Sequence, residues 1–126
     1  MEGCIFCKIV KGEVPSHKVY EDDEFMAFLD ANPKSAGHTL VIPKEHYEDI
    51  FDIPEDVLSG LMVRVKKVAE MIGGSDLNLD GLWLRQSNGE AAGQVVFHFH
   101  MHIIPAYEAK SEFDETDLEK IARKIS

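Results

Sequence analysis

Apolar and polar residues alternate most clearly between Phe97 and Pro105, where three histidines are interleaved with phenylalanine, methionine and isoleucine. A period of two residues predicts a β-strand, because successive side chains of a strand point to opposite faces. One face would carry His98, His100 and His102, and the other would belong to the core. Pro105 has no amide hydrogen for a strand ladder, so we expect the strand to end there.

Four further strands are predicted from short runs of β-branched and aromatic residues bounded by turn residues. They cover 19–21, 25–29, 39–42 and 82–86. The first two are separated by Asp22 and Asp23, which favours a hairpin.

Helical spacing predicts a main helix, shorter ones at each end, and one or two helical turns over 45–51. The main helix would begin at Pro54 and place an apolar stripe from Leu58 to Ile72 on one face. A short helix over 4–11 would end near Gly12, and a C-terminal helix is predicted over 115–125. Strands in hairpins with these helices indicate an α+β fold with a largely antiparallel sheet of about five strands.

Length and composition limit the class of protein. The 126 residues, 44% of them hydrophobic, predict a single domain over 1–126. We find neither a signal peptide nor an apolar run long enough to span a bilayer, so we expect a cytoplasmic protein. The formal net charge of −10 argues against binding to DNA, RNA or an anionic membrane, which needs a basic surface. A nucleotide, which needs only local donors, remains possible.

The three alternating histidines have several interpretations. They could be solvated surface residues, metal ligands, or groups for nucleophilic and acid–base chemistry. The preceding loop, 88–94, is rich in glycine and amide side chains and could direct N–H groups at a phosphate. Phosphate beside imidazoles indicates phosphoryl or nucleotidyl transfer through histidine. His100, which has a histidine on each side, is the natural nucleophile, and His102 could hold the phosphate or protonate the leaving group.

Three segments resemble landmarks of a known family. His98–Ile104, preceded by Gly93–Phe97, resembles the signature of the histidine triad (HIT) family of nucleotide hydrolases and transferases. Gly37–Lys44 and Phe28–Asp30 resemble two further landmarks of that family. The chain is most similar to the small bacterial and archaeal type of nucleoside phosphoramidase. The resemblance implies a HIT-like fold, a purine nucleotide substrate and a two-fold homodimer, for which the Leu58 to Ile72 stripe is a candidate interface.

The resemblance also implies particular roles. His38 would support the triad histidines through hydrogen bonds, although it could equally be a buried polar or capping residue. Asp30 would bind the ribose hydroxyls, or it could be a turn residue. Phosphate-binding positions would be Asn88, Gly93, Gln94 and Val95, where Val95 offers only its backbone amide because it has no hydroxyl. The base pocket would be lined by Ile5, Phe6, Ile9, Val14 and Phe28, which could also be ordinary core.

Cys4 and Cys7 form a C-x-x-C pair, which could be redox-active, metal-binding or merely buried. His46 stands where zinc-binding members of the family carry a histidine. Together with Cys4, Cys7 and His98 it would complete a Cys₂His₂ set, so we predict a structural zinc ion there. His17 matches no motif and is expected at the surface.

The leading hypothesis is a hydrolase that cleaves nucleoside monophosphate derivatives, such as adenosine phosphoramidate, through a covalent nucleotidyl-histidine. A dinucleoside polyphosphate hydrolase or nucleotidyl transferase is the alternative within the family. A zinc hydrolase that uses the three triad histidines as ligands, and a nucleotide-binding regulatory module, are alternatives from other classes.

Overall fold

A five-stranded antiparallel sheet organises the protein, and the computed structural model describes residues 3–126. The strand order is β1-β2-β3-β5-β4. The strands are β1 (Lys18–Glu21), β2 (Phe25–Leu29), β3 (Thr39–Pro43), β4 (Gly81–Arg85) and β5 (Met101–Ala106). The α+β prediction is therefore confirmed. Residues 1 and 2 belong to the N-terminal segment in which no signal peptide is predicted, and they lie outside the described residues.

The α-helices in the described part of the chain are α1 (Ile5–Val10), α2 (Glu55–Gly73) and α3 (Leu118–Ile125). The long helix α2 covers one face of the sheet, as the apolar stripe predicts. Its residues Leu61, Val65, Val68 and Ile72 are each no more than 1% exposed and join the main core with residues of β2, β3 and β5. None of the helices within residues 3–126 is long and apolar enough to cross a lipid bilayer.

This packing corrects part of the expectation that the Leu58 to Ile72 stripe is a dimer interface. Its buried residues Leu61, Val65, Val68 and Ile72 pack on the sheet of their own chain and offer no surface to a second copy, whereas Met62 of the same stripe is 39% exposed. Burial of such a face within the chain is the main source of stability for an amphipathic helix.

The triad strand differs from its prediction at both ends. The ladder of β5 begins only at Met101, so His98 and His100 lie in the bent segment that leads into the strand. Pro105 lies inside β5, opposite Leu82, rather than ending it. Its carbonyl accepts from the Ser35 hydroxyl at 2.7 Å, so its backbone edge faces away from β4 and no ladder bond needs its missing amide hydrogen.

Two helical predictions also need correction. Residues 45–51 form turns and no helix, because Asp49 accepts the amides of Phe51 and Asp52 with its own side chain. Such local bonds compete with helical ones. Helix α3 begins at Leu118 rather than near 115, with the Asp117 side chain capping it by accepting from the Lys120 amide.

The opposite face of the sheet carries a second, smaller apolar cluster under helix α1. Phe6 and the two cysteines of α1 and its cap meet Met26, Phe28, Leu40 and Ile42 from strands β2 and β3. Leu40 is paired with His102 across β3 and β5, and paired residues share a face. The histidine side of the sheet is therefore the side of α1.

Candidate active site and metal centre

A cavity of about 640 Å³ opens on this face, between α1, the ends of β2 and β3, and the loop before the histidine segment. Its volume is typical of a pocket for a small organic ligand. The predicted site residues that line it are Ile5, Phe6, Ile9, Val14, Phe28, Asp30, His38, Gly93, Val95, His100 and His102. The lining therefore combines apolar side chains with imidazoles and one carboxylate.

The protonation of His100 follows from one hydrogen bond. Its Nδ1 lies 2.7 Å from the carbonyl oxygen of His98, and a carbonyl can only accept, so Nδ1 carries the hydrogen. In the neutral ring Nε2 then holds a lone pair. Phe6 stands edge-on to the ring, with the centroids 5.1 Å apart. The backbone and a neighbouring aromatic ring thus fix both the tautomer and the position of His100.

His38 and His102 form a second chain of fixed tautomers. The amide of Lys34 donates to His38 Nδ1 at 3.1 Å, so the hydrogen of the neutral His38 ring is on Nε2. That nitrogen lies 2.9 Å from His102 Nδ1 and donates to it. His102 must therefore carry its own hydrogen on Nε2. An Asp30 carboxylate oxygen lies 3.4 Å from His38 Nε2 and 3.9 Å from His102 Nδ1.

Burial keeps these imidazoles neutral. Loss of solvation lowers the pKa of His102 to about 4, helped by repulsion from His100 and His38. Burial is likewise the largest cause of the lowered pKa values of His100 and His38, partly opposed by the Asp30 carboxylate. Near neutral pH the rings of His38, His100 and His102 therefore each keep one lone pair, with the Asp30 carboxylate beside them.

The glycine-rich loop is built by its amide side chains. Gln94 is 3% exposed, accepts from the Gly89 amide at 2.7 Å and donates to the Glu48 carbonyl at 2.7 Å. The Asn88 side chain accepts from the Ile50 amide at 2.8 Å. Both residues were predicted to contact phosphate, but their side chains hold the loop. Gly93, with a φ of 92° that favours glycine, and the following Val95 and Val96 bring this segment to the cavity.

Next to the cavity, Cys4, Cys7, His46 and His98 place their ligand atoms within 4.8 Å of one another, so the four form a possible metal site. Cys4 Sγ and Cys7 Sγ lie 3.3 and 3.5 Å from His98 Nδ1, and Cys7 Sγ lies 3.4 Å from His46 Nδ1. Two sulfurs and two imidazole nitrogens are a common donor set for structural zinc.

The geometry fits such an ion. A tetrahedral zinc with its usual bond lengths separates sulfur from nitrogen by about 3.6 Å, close to the distances seen here. His98 Nε2 donates to the Pro43 carbonyl at 2.8 Å, which leaves Nδ1 unprotonated toward the sulfurs. Burial also lowers the pKa of His98 to about 4, so no proton competes for that nitrogen. The amide of Cys7 donates to Cys4 Sγ at 3.3 Å, which would stabilise a thiolate.

Sequence reasoning missed ten residues that line the cavity: Pro15, Ser16, His17, Leu29, Ala31, Asn32, Lys34, Leu40, Val96 and Leu118. His17 is exposed, as expected, but it also lines the cavity. Lys34 gave no signal because its contribution to His38 is a backbone amide. Leu118 lies on the same helix face as the buried residues Ile121, Ala122 and Ile125, so the sequence pattern indicated only a core position.

Comparison with known proteins agrees with this geometry. A family model described as HIT domain matches residues 11–109. The chain belongs to the HIT domain family. Within this family, it is 46% identical to a HIT-like protein of Methanocaldococcus jannaschii over 97% of this chain and 98% of that protein. It is 40% identical to an adenosine 5′-monophosphoramidase of Saccharomyces cerevisiae over 95% of this chain and 77% of the yeast protein.

The same HIT fold is found in solved structures. A zinc-bound histidine triad family protein from Mycobacterium smegmatis superposes with a TM-score of 0.91 at 36% identity, covering 98% of this chain and 91% of that one. The predictions of the family and of the HIT-like fold are thereby confirmed, and they rested on the three histidines, Gly37–Lys44 and Phe28–Asp30.

Proposed function

We propose that this protein hydrolyses nucleoside monophosphate derivatives, such as adenosine phosphoramidate, through a nucleotidyl intermediate on His100. One observation carries the proposal. The hydrogen bond from His100 Nδ1 to the His98 carbonyl leaves the Nε2 lone pair available without prior loss of a proton. The monophosphoramidase relative in yeast supports the substrate class.

In the first step His100 Nε2 attacks the α-phosphorus, a P–N bond forms, and the bond to the leaving group breaks. His102 Nε2 donates toward the same end of the cavity and holds a phosphoryl oxygen. Binding of an anionic phosphate favours a second proton on His102 Nδ1, where it would replace the hydrogen bond from His38 and face the Asp30 carboxylate 3.9 Å away, and the Nε2 hydrogen then passes to the leaving group. Water then attacks the phosphorus, returns a proton to His102 and frees His100.

Asp30 and His38 support this chemistry. The Asp30 carboxylate lies within 4 Å of the bonded nitrogens of His38 and His102 and would stabilise positive charge on that pair. Its other oxygen accepts from the Asn32 amide at 2.8 Å, which fixes the carboxylate where ribose hydroxyls can donate to it. Gly93 and the Val95 amide would hold the phosphate, and Ile9, Val14 and Phe28 the purine.

The nucleophilic mechanism is favoured over a zinc hydrolase with three triad ligands. His98 Nδ1 faces the sulfurs of Cys4 and Cys7, whereas His102 Nδ1 faces His38. The three histidines therefore direct their free nitrogens to different places and do not converge on one ion. Zinc is proposed instead as a structural ion on Cys4, Cys7, His46 and His98, where it would tie α1 to the histidine segment.

Replacing His100 with alanine should lower turnover by at least about a thousandfold, because no other group stands ready to attack the phosphorus. AMP affinity should stay close to that of the native protein. His17→Ala, which removes another imidazole of the same cavity, is the control and should keep most of the activity. Quenching the native protein with labelled substrate should trap an acid-labile, base-stable adenylate. A variant His100→Ala that retains most of its turnover would disprove the mechanism.

Asp30→Ala should weaken ribonucleotide substrates far more than 2′-deoxy substrates, by about 1–3 kcal/mol for a lost charged hydrogen bond. The measurement is kcat/KM for matched ribo and deoxy compounds. Asp30→Asn, which keeps an acceptor for the Asn32 amide, controls for damage to the turn. An equal loss of kcat/KM on both substrates would show that Asp30 does not bind the 2′ hydroxyl of the ribose.

Metal analysis of protein purified without chelators should find close to one zinc per chain. Exchanging Cys4 and Cys7 together for serine should abolish that zinc and lower the melting temperature, because metal-binding energy contributes to folding. Native protein with well under one zinc per chain, or a double variant that melts like the native protein, would instead indicate two reduced, buried cysteines.

A homodimer is proposed through the free edge of the sheet at β4. Trp83 and Leu84 on this edge are 62% and 48% exposed, and an unpaired edge strand readily pairs with another. Light scattering at micromolar concentration should give twice the chain mass of 14.2 kDa. Leu84→Lys should shift the mass to that of a monomer, whereas Val63→Lys, an equivalent change at an exposed position of α2, should leave the dimer intact. A native monomer would refute the assembly.

A further inference from the structure

Helix α3 contributes to the cavity although it lies beyond the part of the chain that the family model matches, residues 11–109. Its first residue, Leu118, lines the cavity together with Asp30 and His17. The remainder of the helix serves as an anchor, since Ile121 and Ile125 are 1% and 5% exposed. Through them α3 rests against strands β1 and β2.

The position of Leu118 is well defined by this anchoring. Ile121, Ala122 and Ile125 follow it by three, four and seven residues, so all four lie on one face of the helix. Leu118 is the member of that face that is only partly buried, and the cavity opens beside it. The Asp117 cap accepts from the Lys120 amide at 3.3 Å and holds the first turn in place.

The neighbours of Leu118 identify the part of a ligand that it would meet. Asp30 directly follows β2, and His17 directly precedes β1, where its carbonyl accepts from the Leu29 amide at 3.0 Å. Both therefore lie at the same end of the β1–β2 hairpin, and α3 packs against this hairpin. In the proposed binding mode the ribose hydroxyls point to Asp30, so Leu118 stands beside the ribose.

We propose that Leu118 closes the ribose end of the cavity and restricts the substrate to nucleotides whose 2′ and 3′ hydroxyls are both free. This inference rests on the proposed function and narrows its substrate class. A bulky group on either hydroxyl would need the space that Leu118 occupies. A 3′-phosphate would in addition meet the Asp30 carboxylate, which repels it. Nucleotides with a 3′-phosphate and the 5′ ends of nucleic acids would thus be excluded.

The test compares the affinity of AMP with that of its fluorescent 2′/3′-O-(N-methylanthraniloyl) ester. Native protein should bind the ester at least about tenfold more weakly than AMP. Leu118→Ala should lower this ratio of the two dissociation constants severalfold, because it removes the side chain that would meet the ester group. AMP itself should bind both proteins with similar affinity. Leu118→Met, which conserves volume, should keep the native ratio. Adenosine 3′,5′-bisphosphate should remain a poor ligand of Leu118→Ala, because Asp30 is still present.

Leu58→Ala is the matched control. Leu58 is also a partly buried leucine packed on the main core, but it lies on α2 and does not line the cavity. If Leu58→Ala narrows the ratio as much as Leu118→Ala does, or if native protein binds the ester as well as AMP, the inference is wrong while the proposed function stands. If native protein fails to bind AMP at all, the proposed function fails, and the inference fails with it.

Discussion

Buried imidazoles impose the constraint on which this structure depends. A buried polar nitrogen without a partner is costly, and a buried positive charge costs still more. The fold meets this requirement by giving the histidines fixed acceptors and donors, namely the His98 and Pro43 carbonyls and the Lys34 amide. Each of these bonds also selects a tautomer. The requirement to satisfy buried nitrogens therefore determines which atoms remain free for chemistry.

His98 connects the two centres of the molecule. Its Nδ1 faces the cysteine sulfurs of the possible metal site, while its carbonyl accepts the Nδ1 hydrogen of His100. Phe6, on the helix between the cysteines, stands edge-on to both His98 and His100. An ion at the cysteines would therefore stiffen the segment that positions the His100 ring without itself contacting that ring.

The bend before β5 allows His98 to face the possible metal site while His102 faces the cavity. A regular strand would place His98, His100 and His102 in one row on the same face of the sheet. Because the ladder begins at Met101, only His102 is held by strand pairing, opposite Leu40 and Arg85. His98 is free to turn toward the cysteines, and His100 remains between the two centres, with its ring 4.9 Å from that of His102.

The sequence alone determined the elements with strong local signals. Strand β2 was predicted at its observed bounds, and the stripe of α2 at its observed face, because apolar periodicity reflects burial directly. The resemblance to the HIT family led to the prediction that Cys4, Cys7, His46 and His98 form one set, and the structure brings their ligand atoms within 4.8 Å of one another. Only tertiary structure decided how Gln94 and Asn88 are used, because their partners at 48 and 50 lie about 40 residues away. The sequence could not show that Lys34 fixes His38, because the donor is a backbone amide, which any residue except proline provides. It could not show that Leu118 reaches the cavity either, because an apolar residue at the end of a buried stripe gives the same pattern whether it faces the core or a ligand.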